Sequence, residues 1–215
     1  MDNYFACETM TQPEADKFDE KKAAEVAFFF LSKARASGKT VTKLRLVKWV
    51  YLAERLSYER YGEPLTGDRL FSMMHGPVPS STLYLIETPT KVSSRSGHWA
   101  SVVQVTVDKG NHHQYLNLAD QCGYKTTDDL LALSDSEVEI LEDTWDSYGN
   151  ISAKALEKLL HNPRQFPEWE WHPGNRSNPI HLERLLKVLG YNDTQTASLI
   201  ENVKTNEAID RAFAH

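Results

Sequence analysis

The segment Tyr61–Ser80 constrains the fold of this chain more than any other part of the sequence. It reads YGEPLTGDRLFSMMHGPVPS, and glycine or proline occupies six of its positions. Glycine permits backbone angles that other residues avoid, whereas proline fixes φ and removes a hydrogen-bond donor. Residues 61–80, here called the Gly/Pro segment, therefore follow one defined path behind a long apolar helix. Because the segment contains no obvious nucleophile or metal-ligand cluster, we predict that it serves binding rather than chemistry.

The composition is that of a globular protein. The chain has 215 residues, of which 40% are hydrophobic and 25% charged, and its net charge of −6 disfavours nucleic acid as a partner. Its longest apolar run, Val26–Leu31, is far too short to span a bilayer. The N-terminus lacks the features of a signal peptide, and Cys7 and Cys122 define no disulfide framework. We expect a cytoplasmic protein with no membrane partner and no cofactor.

Two helices are predicted ahead of the Gly/Pro segment. The first begins at Asp19, carries one apolar stripe and stops at Gly38. Phe28 and Phe29 lie outside that stripe, and we expect a second contact to bury them. The alternative for these two side chains is an exposed partner-binding patch.

The second helix is capped by Thr42 and runs to about Tyr61. Apolar side chains cover more than half of its circumference, which predicts a central core helix with one edge in solvent. We place four charged residues on that solvated edge: Arg45, Lys48, Arg55 and Glu59.

The middle of the chain combines a short helix with a hairpin. Ser80–Glu87 suits a helix entered through Pro79. Alternation over Trp99–Val107, a turn at residues 108–111 and a second run at Tyr115–Leu118 predict two antiparallel strands. Arg69–Met74 is a candidate third strand.

The second half is predicted to be helical. Ser134 and Glu137 form a capping box, and Ser152 caps the helix that follows. An aromatic loop covers residues 166–174. A helix over Ile180–Leu189 and a last helix capped by Asp193 form a tail that either packs on the core or presents a partner-binding face, and packing is the default.

These patterns predict a mainly α protein of the α+β class: a compact helical domain with a small antiparallel hairpin or sheet. We expect a flexible N-terminus over residues 1–17, the compact domain over 18–172 and a C-terminal two-helix extension over 175–215.

The sequence lacks the common catalytic motifs, which favours a binding protein. Phosphate-binding loops, a hydrolase nucleophile elbow and the H-E-x-x-H and paired C-x-x-C metal motifs are all absent. The adjacent His112 and His113 point to opposite faces of an extended strand, so we expect them to be solvent-exposed. His75 and Asp68, with Ser80 nearby, are the most plausible catalytic centre. We favour structural roles for them, His75 pinning the loop and Asp68 capping a turn.

Several short motifs occur in a recognisable order. They are Leu46–Glu54 (LVKWVYLAE), Tyr61–Asp68 (YGEPLTGD) and Met73–Pro79 (MMHGPVP), then Leu133-Ser134, Tyr148–Ser152 (YGNIS), Leu160-His161 and Pro167–Trp169 (PEW). In this order and spacing the chain resembles the Panacea domain, the SocA-like and often phage-associated antitoxin family, over residues 18–171. It departs from the family pattern at Val47 and Trp49-Val50, and in a longer interval between His161 and Trp169.

The resemblance implies a mainly α fold with a small β element and a function in binding. Family members are encoded beside a toxin gene and neutralise the toxin by direct contact, and one acts as an adaptor that delivers its toxin to a AAA+ protease. It implies toxin-binding or motif roles for a set of residues on the second helix, the Gly/Pro segment and the aromatic loop: Lys48, Tyr51, Pro64, Gly67, Asp68, His75, Gly76, Pro77, Val78, Pro79 and Trp169.

Our hypothesis is an antitoxin that sequesters the product of the adjacent gene, with the C-terminal helices adding interface area. A proteolytic adaptor is the alternative within binding proteins. An enzyme centred on His75 and Asp68 and a DNA-binding autorepressor are the alternatives from other classes.

Overall fold

The computed structural model describes residues 18–88, 97–110 and 113–213. Within these ranges the helices are α1 (Glu20–Ala36), α2 (Lys43–Tyr61), α3 (Ser80–Glu87), α4 (His98–Val102), α5 (Asp135–Tyr148), α6 (Ala153–Leu160), α7 (Leu182–Val188) and α8 (Asp193–Phe213). The strands are β1 (Val41–Thr42), β2 (Leu70–Met73), β3 (Gly76–Pro79), β4 (Val103–Val107), β5 (Gln114–Leu118) and β6 (Asn178–Pro179). Residues 1–17, Cys7 and His112, on which some of our predictions fall, lie outside the described residues. The fold is mainly α with small antiparallel sheets, as predicted.

The first two helices begin at the predicted caps. Asp19 Oδ1 accepts a hydrogen bond from Lys22 N, and Thr42 Oγ1 accepts one from Arg45 N. These side chains satisfy backbone amides that a helix start otherwise leaves without partners. Gly62, in the left-handed conformation with a φ of 70°, ends α2.

Both helices lie in the core, and α1 is buried around more of its circumference than one stripe. Phe28 and Phe29 are buried, which confirms that a second contact covers them. Phe28 packs edge-on against Tyr124, and Phe29 packs edge-on against Phe30. The core therefore lies on more than one side of α1.

The predicted hairpin exists, but its first strand begins at Val103 rather than at Trp99. β4 and β5 are antiparallel with Val105 opposite Leu116, and β1 completes a three-stranded sheet in the order β1-β5-β4. Trp99–Val102, predicted as strand, forms the helix α4 instead. Glu20 Oε1 accepts a hydrogen bond from the Trp99 amide at 3.0 Å and so caps α4 from another helix.

The candidate third strand belongs to a second sheet. β2 pairs with β3 on one side and with β6 on the other, in the order β3-β2-β6. The Gly/Pro segment therefore forms its own hairpin, with Met73 opposite Gly76. It does not extend the first sheet.

The first two helices of the second half begin at the predicted capping residues. Ser134 Oγ accepts a hydrogen bond from Glu137 N, and Glu137 Oε2 accepts one from Ser134 N, which completes the capping box of α5. Ser152 Oγ accepts from Ala155 N at the start of α6. Ile140, Leu141, Leu156 and Leu160 fill the core from these helices.

The C-terminal tail packs on the core as far as Ile200. Leu185 and Leu186 of α7 are buried, and the Tyr191 hydroxyl donates to the Tyr58 carbonyl at 3.0 Å. Packing on the core, the default expectation, is confirmed for this part. The proposed division of the chain at residues 172–175 stays a prediction.

The start of the last helix differs by one residue from our prediction. Asn192, not Asp193, caps it: Asn192 Oδ1 accepts from Gln195 N, and Gln195 Oε1 accepts from Asn192 N. The predicted helix over Ile180–Leu189 is also shorter, because Ile180 N donates to Leu70 O beside β6.

Among the described residues, no helix combines the length and the apolar character that crossing a membrane requires.

Replacing Gly62 with alanine tests the packing of the tail. A Cβ at Gly62 would lie 2.6 Å from Leu199 Cδ2, whereas a Cβ at Gly38, which also has a positive φ, meets nothing within 4 Å. Gly38→Ala should lower the free energy of unfolding by about 1 kcal/mol through left-handed strain alone. Gly62→Ala should lower the free energy of unfolding by about 1 kcal/mol more than Gly38→Ala does, because Leu199 must move. Equal losses in urea denaturation would contradict the observed position of α8.

Candidate partner-binding site at the Gly/Pro segment

The buried carboxylate of Glu54 holds the first half of the Gly/Pro segment. Glu54 Oε2 accepts hydrogen bonds from Leu65 N at 3.1 Å and Thr66 N at 3.0 Å, and Oε1 accepts one from Thr66 Oγ1 at 3.3 Å. Burial raises the pKa of Glu54 to about 8, and the nearby Asp68 adds to that effect. This side chain of α2 therefore replaces water as the partner of two loop amides.

Asp68 caps α3. Its Oδ1 accepts from Ser81 N at 2.7 Å, and its Oδ2 accepts from Thr82 N at 2.7 Å and Thr82 Oγ1 at 2.8 Å. Pro79, at the usual capping position, has no side-chain donor or acceptor, so a residue outside the helix supplies the cap. The structural role expected of Asp68 is found, but its partners are amides 13 and 14 residues along the chain rather than those of the local turn that we predicted. Burial raises its pKa.

Lys48 holds the second half of the segment. Its side chain is 0% exposed, and Nζ donates a hydrogen bond to the Pro77 carbonyl oxygen at 2.8 Å. Burial lowers the pKa of Lys48 to about 7, against an opposing attraction from Glu157. The prediction that Lys48 lies on a solvated edge was wrong, because its partner is a backbone carbonyl in a distant strand.

Gly76 makes room for this lysine. It has a φ of 96°, and a Cβ there would lie 3.1 Å from Lys48 Nζ and 3.4 Å from His161 Nε2. A side chain at this position would therefore require both strained backbone and displacement of the ammonium group. Gly67 likewise has a positive φ, of 72°.

The prolines and the valine of the segment are shielded from solvent to different degrees. Pro77, Val78 and Pro79 are buried, and Pro64 is partly buried. Most of the side chains predicted here for binding are therefore internal. A contact between them and a toxin stays a prediction.

Tyr51 connects α2 to the aromatic loop. Its hydroxyl donates to Glu168 Oε1 at 2.6 Å, and Arg55 Nε donates to the same oxygen at 2.7 Å. Burial and the Glu168 carboxylate raise the pKa of Tyr51. Sequence reasoning missed Glu168, because a lone glutamate between proline and tryptophan carries no signal of burial.

Trp169 closes the loop over the hairpin. Its Nε1 donates to the Met73 carbonyl at 3.0 Å, and its ring stacks on His161 with centroids 4.3 Å apart. The two residues of the closing motif therefore meet despite their longer spacing. Burial lowers the pKa of His161, whose Nε2 is buried without a hydrogen-bond partner among the described residues.

Two residues of the segment, Met74 and His75, form an exposed turn that we call the hairpin tip. Met74 is 48% exposed, and the His75 side chain is 45% exposed. His75 Nδ1 lies 2.6 Å from Glu157 Oε1 of α6, so the predicted pinning role of His75 is met by a side chain rather than by backbone. Asp68 instead contacts Ser80, Ser81 and Thr82.

The ranges that the structure describes contain no group of three His, Cys, Asp or Glu residues arranged to hold a metal ion. Cys122 is a partly buried free thiol.

Comparison with known proteins identifies the family. The family model described as "Antitoxin SocA-like, Panacea domain" matches residues 46–170. The chain belongs to this family. No curated protein and no solved structure gives a significant match.

The Panacea match contains the whole site. It begins in α2, two residues before Lys48, and ends one residue after Trp169. The helix α1 and the tail lie outside it, although both pack against the matched part. The polar contacts from α2 to the hairpin and the aromatic loop are therefore internal to the Panacea domain.

Replacing Lys48 with methionine should change how stability depends on pH. Because the folded pKa of about 7 lies below the usual 10.5, the unfolded chain holds this proton more tightly. The Lys48 contribution to stability therefore rises as pH increases from about 7 to 10.5 and is lost as pH falls back through that window. Over this pH range the free energy of unfolding of the wild type should rise relative to that of Lys48→Met, by about 1.4 kcal/mol for each unit of pKa shift. A difference in urea unfolding free energy that is independent of pH would contradict the buried position.

Proposed function

We propose that this protein is an antitoxin that neutralises a cognate toxin by direct protein–protein binding, and that it has no catalytic activity of its own. The observation that carries the proposal is the Panacea match over residues 46–170, which contains the entire Gly/Pro segment. We further propose that the toxin is encoded by the adjacent gene.

The use of polar groups in this segment favours binding over catalysis. A catalytic acid or base must reach a substrate proton within hydrogen-bond distance. Asp68 already accepts hydrogen bonds from two amides and a hydroxyl, and Lys48 and Glu54 are fully buried against backbone partners. These groups are engaged in holding the segment in place.

The hairpin tip is the exposed part of the hairpin formed by β2 and β3, and it is the part of the segment that we propose contacts the toxin. Hydrogen bonds on both sides of the tip fix its position. Lys48 Nζ donates to the Pro77 carbonyl after the tip, and Trp169 Nε1 donates to the Met73 carbonyl before it. A preorganised loop loses little conformational entropy on binding, which favours affinity.

The tip alone is too small for a stable complex. Standard interfaces bury about 800 Å² on each partner. The aromatic loop runs beside β2, where Glu170 N donates to Ser72 Oγ, and it continues into the partly buried Trp171 and the exposed His172. We place the remaining contact area there and on the C-terminal helices, because tryptophan is enriched among residues that dominate binding energy.

Co-expression tests the function. The product of the adjacent gene should arrest growth when expressed alone, and this protein should restore growth while the toxin persists in a stable complex. Restored growth with falling toxin levels would favour delivery to a AAA+ protease instead. A neighbouring product that is harmless alone, or that stays toxic beside this protein, would refute the antitoxin proposal.

Met74→Asp should weaken toxin binding by about 1–2 kcal/mol, because it places a charge where an apolar contact is proposed. Leu131→Asp is the matched control: Leu131 is 83% exposed and lies in the loop beside α1, where Ala132 N donates to Glu25 Oε2. Isothermal titration should show a loss for the first variant only. Equal affinities for both variants would place the contact elsewhere.

His75→Gln should leave neutralisation largely intact. Glutamine can still hydrogen-bond to Glu157 but cannot act as a general acid or base near neutral pH. A folded His75→Gln variant that loses all neutralising activity in the co-expression assay would favour the enzyme alternative.

A further inference from the structure

Helix α6 borders the hairpin tip. Glu157 Oε1 lies 2.6 Å from His75 Nδ1, and a Cβ at Gly76 would lie 3.4 Å from His161 Nε2. Glu157 and His161 are four residues apart, so their side chains are neighbours along one side of the helix. This side of α6 therefore faces the hairpin formed by β2 and β3.

Two lysines of α6 lie next to this side and point to solvent. Lys154 precedes Glu157 by three residues, and Lys158 precedes His161 by three, so each lysine is a neighbour of a residue that contacts the hairpin. Both lysines are exposed, as is Ala155 between them. We call Lys154 and Lys158 the α6 lysine pair. The pair flanks the hairpin tip.

The charges of the α6 lysine pair are not neutralised within the described ranges. Other lysines lie 2.6–2.8 Å from a carboxylate oxygen: Lys22, Lys33 and Lys43. None of the ion pairs among the described residues includes Lys154 or Lys158, although the whole chain carries a net charge of −6. The acidic residues of the described chain therefore leave this pair available to a partner.

Lys154 is placed where it opposes helix stability. It is the second residue of α6, in the first turn, where the positive end of the helix dipole repels a cation. Lys158, four residues further on, adds repulsion between like charges. A charged side chain that breaks these local rules without a compensating partner is typical of a functional surface.

We propose that the hairpin tip and the α6 lysine pair together bind an acidic patch on the surface of the toxin. Met74, which is 48% exposed, is the apolar centre of this contact, and the two lysines are part of its charged rim. Stable interfaces commonly combine an apolar centre with a polar rim. This inference rests on the proposed antitoxin function and adds the chemistry of the surface that the toxin presents.

An acidic protein surface fits the lysine pair better than a nucleic acid does. Proteins that bind DNA through its phosphates commonly make about six to ten such contacts. Here two lysines stand beside the Glu157 carboxylate on a chain of net negative charge. Charges at the rim of a protein interface instead act a few at a time, and they mainly speed association and select the partner.

Two double variants test the proposal. K154E/K158E reverses both charges of the lysine pair. K109E/K125E is the matched control, because it changes the net charge equally in the loops before and after β5, outside α6 and the hairpin. All four lysines are exposed, and thermal unfolding verifies that each variant is folded.

The measurement is the association rate with the immobilised product of the adjacent gene, at about 50 mM and about 1 M salt, since charge attraction is screened beyond about 3 Å at 1 M. At low salt K154E/K158E should associate about tenfold more slowly than the wild type, and the difference should shrink at high salt. K109E/K125E should associate at close to the wild-type rate.

The single variant Lys154→Glu separates binding from stability. A carboxylate in the first turn of α6, four residues before Lys158, is favoured by both the helix dipole and the ion pair. This variant should therefore unfold at an equal or higher urea concentration than the wild type, yet associate more slowly with the toxin. A lower unfolding midpoint would contradict the unfavourable position of Lys154 on which the inference depends.

Other outcomes distinguish this inference from the antitoxin proposal itself. Equal association rates for the two double variants, with toxin binding intact, would overturn the inference and leave the antitoxin proposal standing. A wild type that does not bind the toxin would overturn both. If K154E/K158E keeps toxin binding but loses binding to a labelled DNA duplex, the lysine pair serves nucleic acid and the inference is wrong.

Discussion

The architecture depends on polar side chains of α2 that lie buried in the core. Lys48 and Glu54 are fully buried, and each ends on the backbone of the Gly/Pro segment. A buried charged or polar group without a partner costs several kcal/mol, so the helix is stable in the core only when the segment follows its observed path. The glycines and prolines shape that path, and the helix fixes its position. Tyr51 extends the same arrangement to the aromatic loop through Glu168.

This constraint explains why the segment carries so few free functional groups. Thr66, Asp68 and Ser72 are buried and stabilise the fold, and within the hairpin Leu70–Pro79 the exposed part is the tip beside the aromatic loop. A rigid surface of this kind suits recognition, because little ordering remains to be done when a partner binds. The site thus combines an architectural role inside the protein with a proposed contact role at its surface.

The parts of the structure that sequence predicted are those set by local signals. Asp19, Thr42, Ser134 and Ser152 start their helices because each cap bonds to an amide three residues away. The same reasoning fails where a side chain bonds to a residue far away in the sequence. The sequence pattern predicts Lys48 in solvent because its acceptor is 29 residues away, and it predicts a strand at α4 because the cap, Glu20, is 79 residues away. Within the site, a structural role for Asp68 follows from its place after a glycine, but neither its partners in α3 nor the burial of Glu168 carries a local signal.

The central claim is that the Panacea domain of this protein holds its toxin in a stable complex. Its most direct test is to mix the purified protein with the product of the adjacent gene and to measure the mass of the species by light scattering after size-exclusion chromatography. The account predicts a stoichiometric complex that persists through the column and forms without any protease. Separate elution of the two proteins at concentrations that restore growth in co-expressing cells would contradict it.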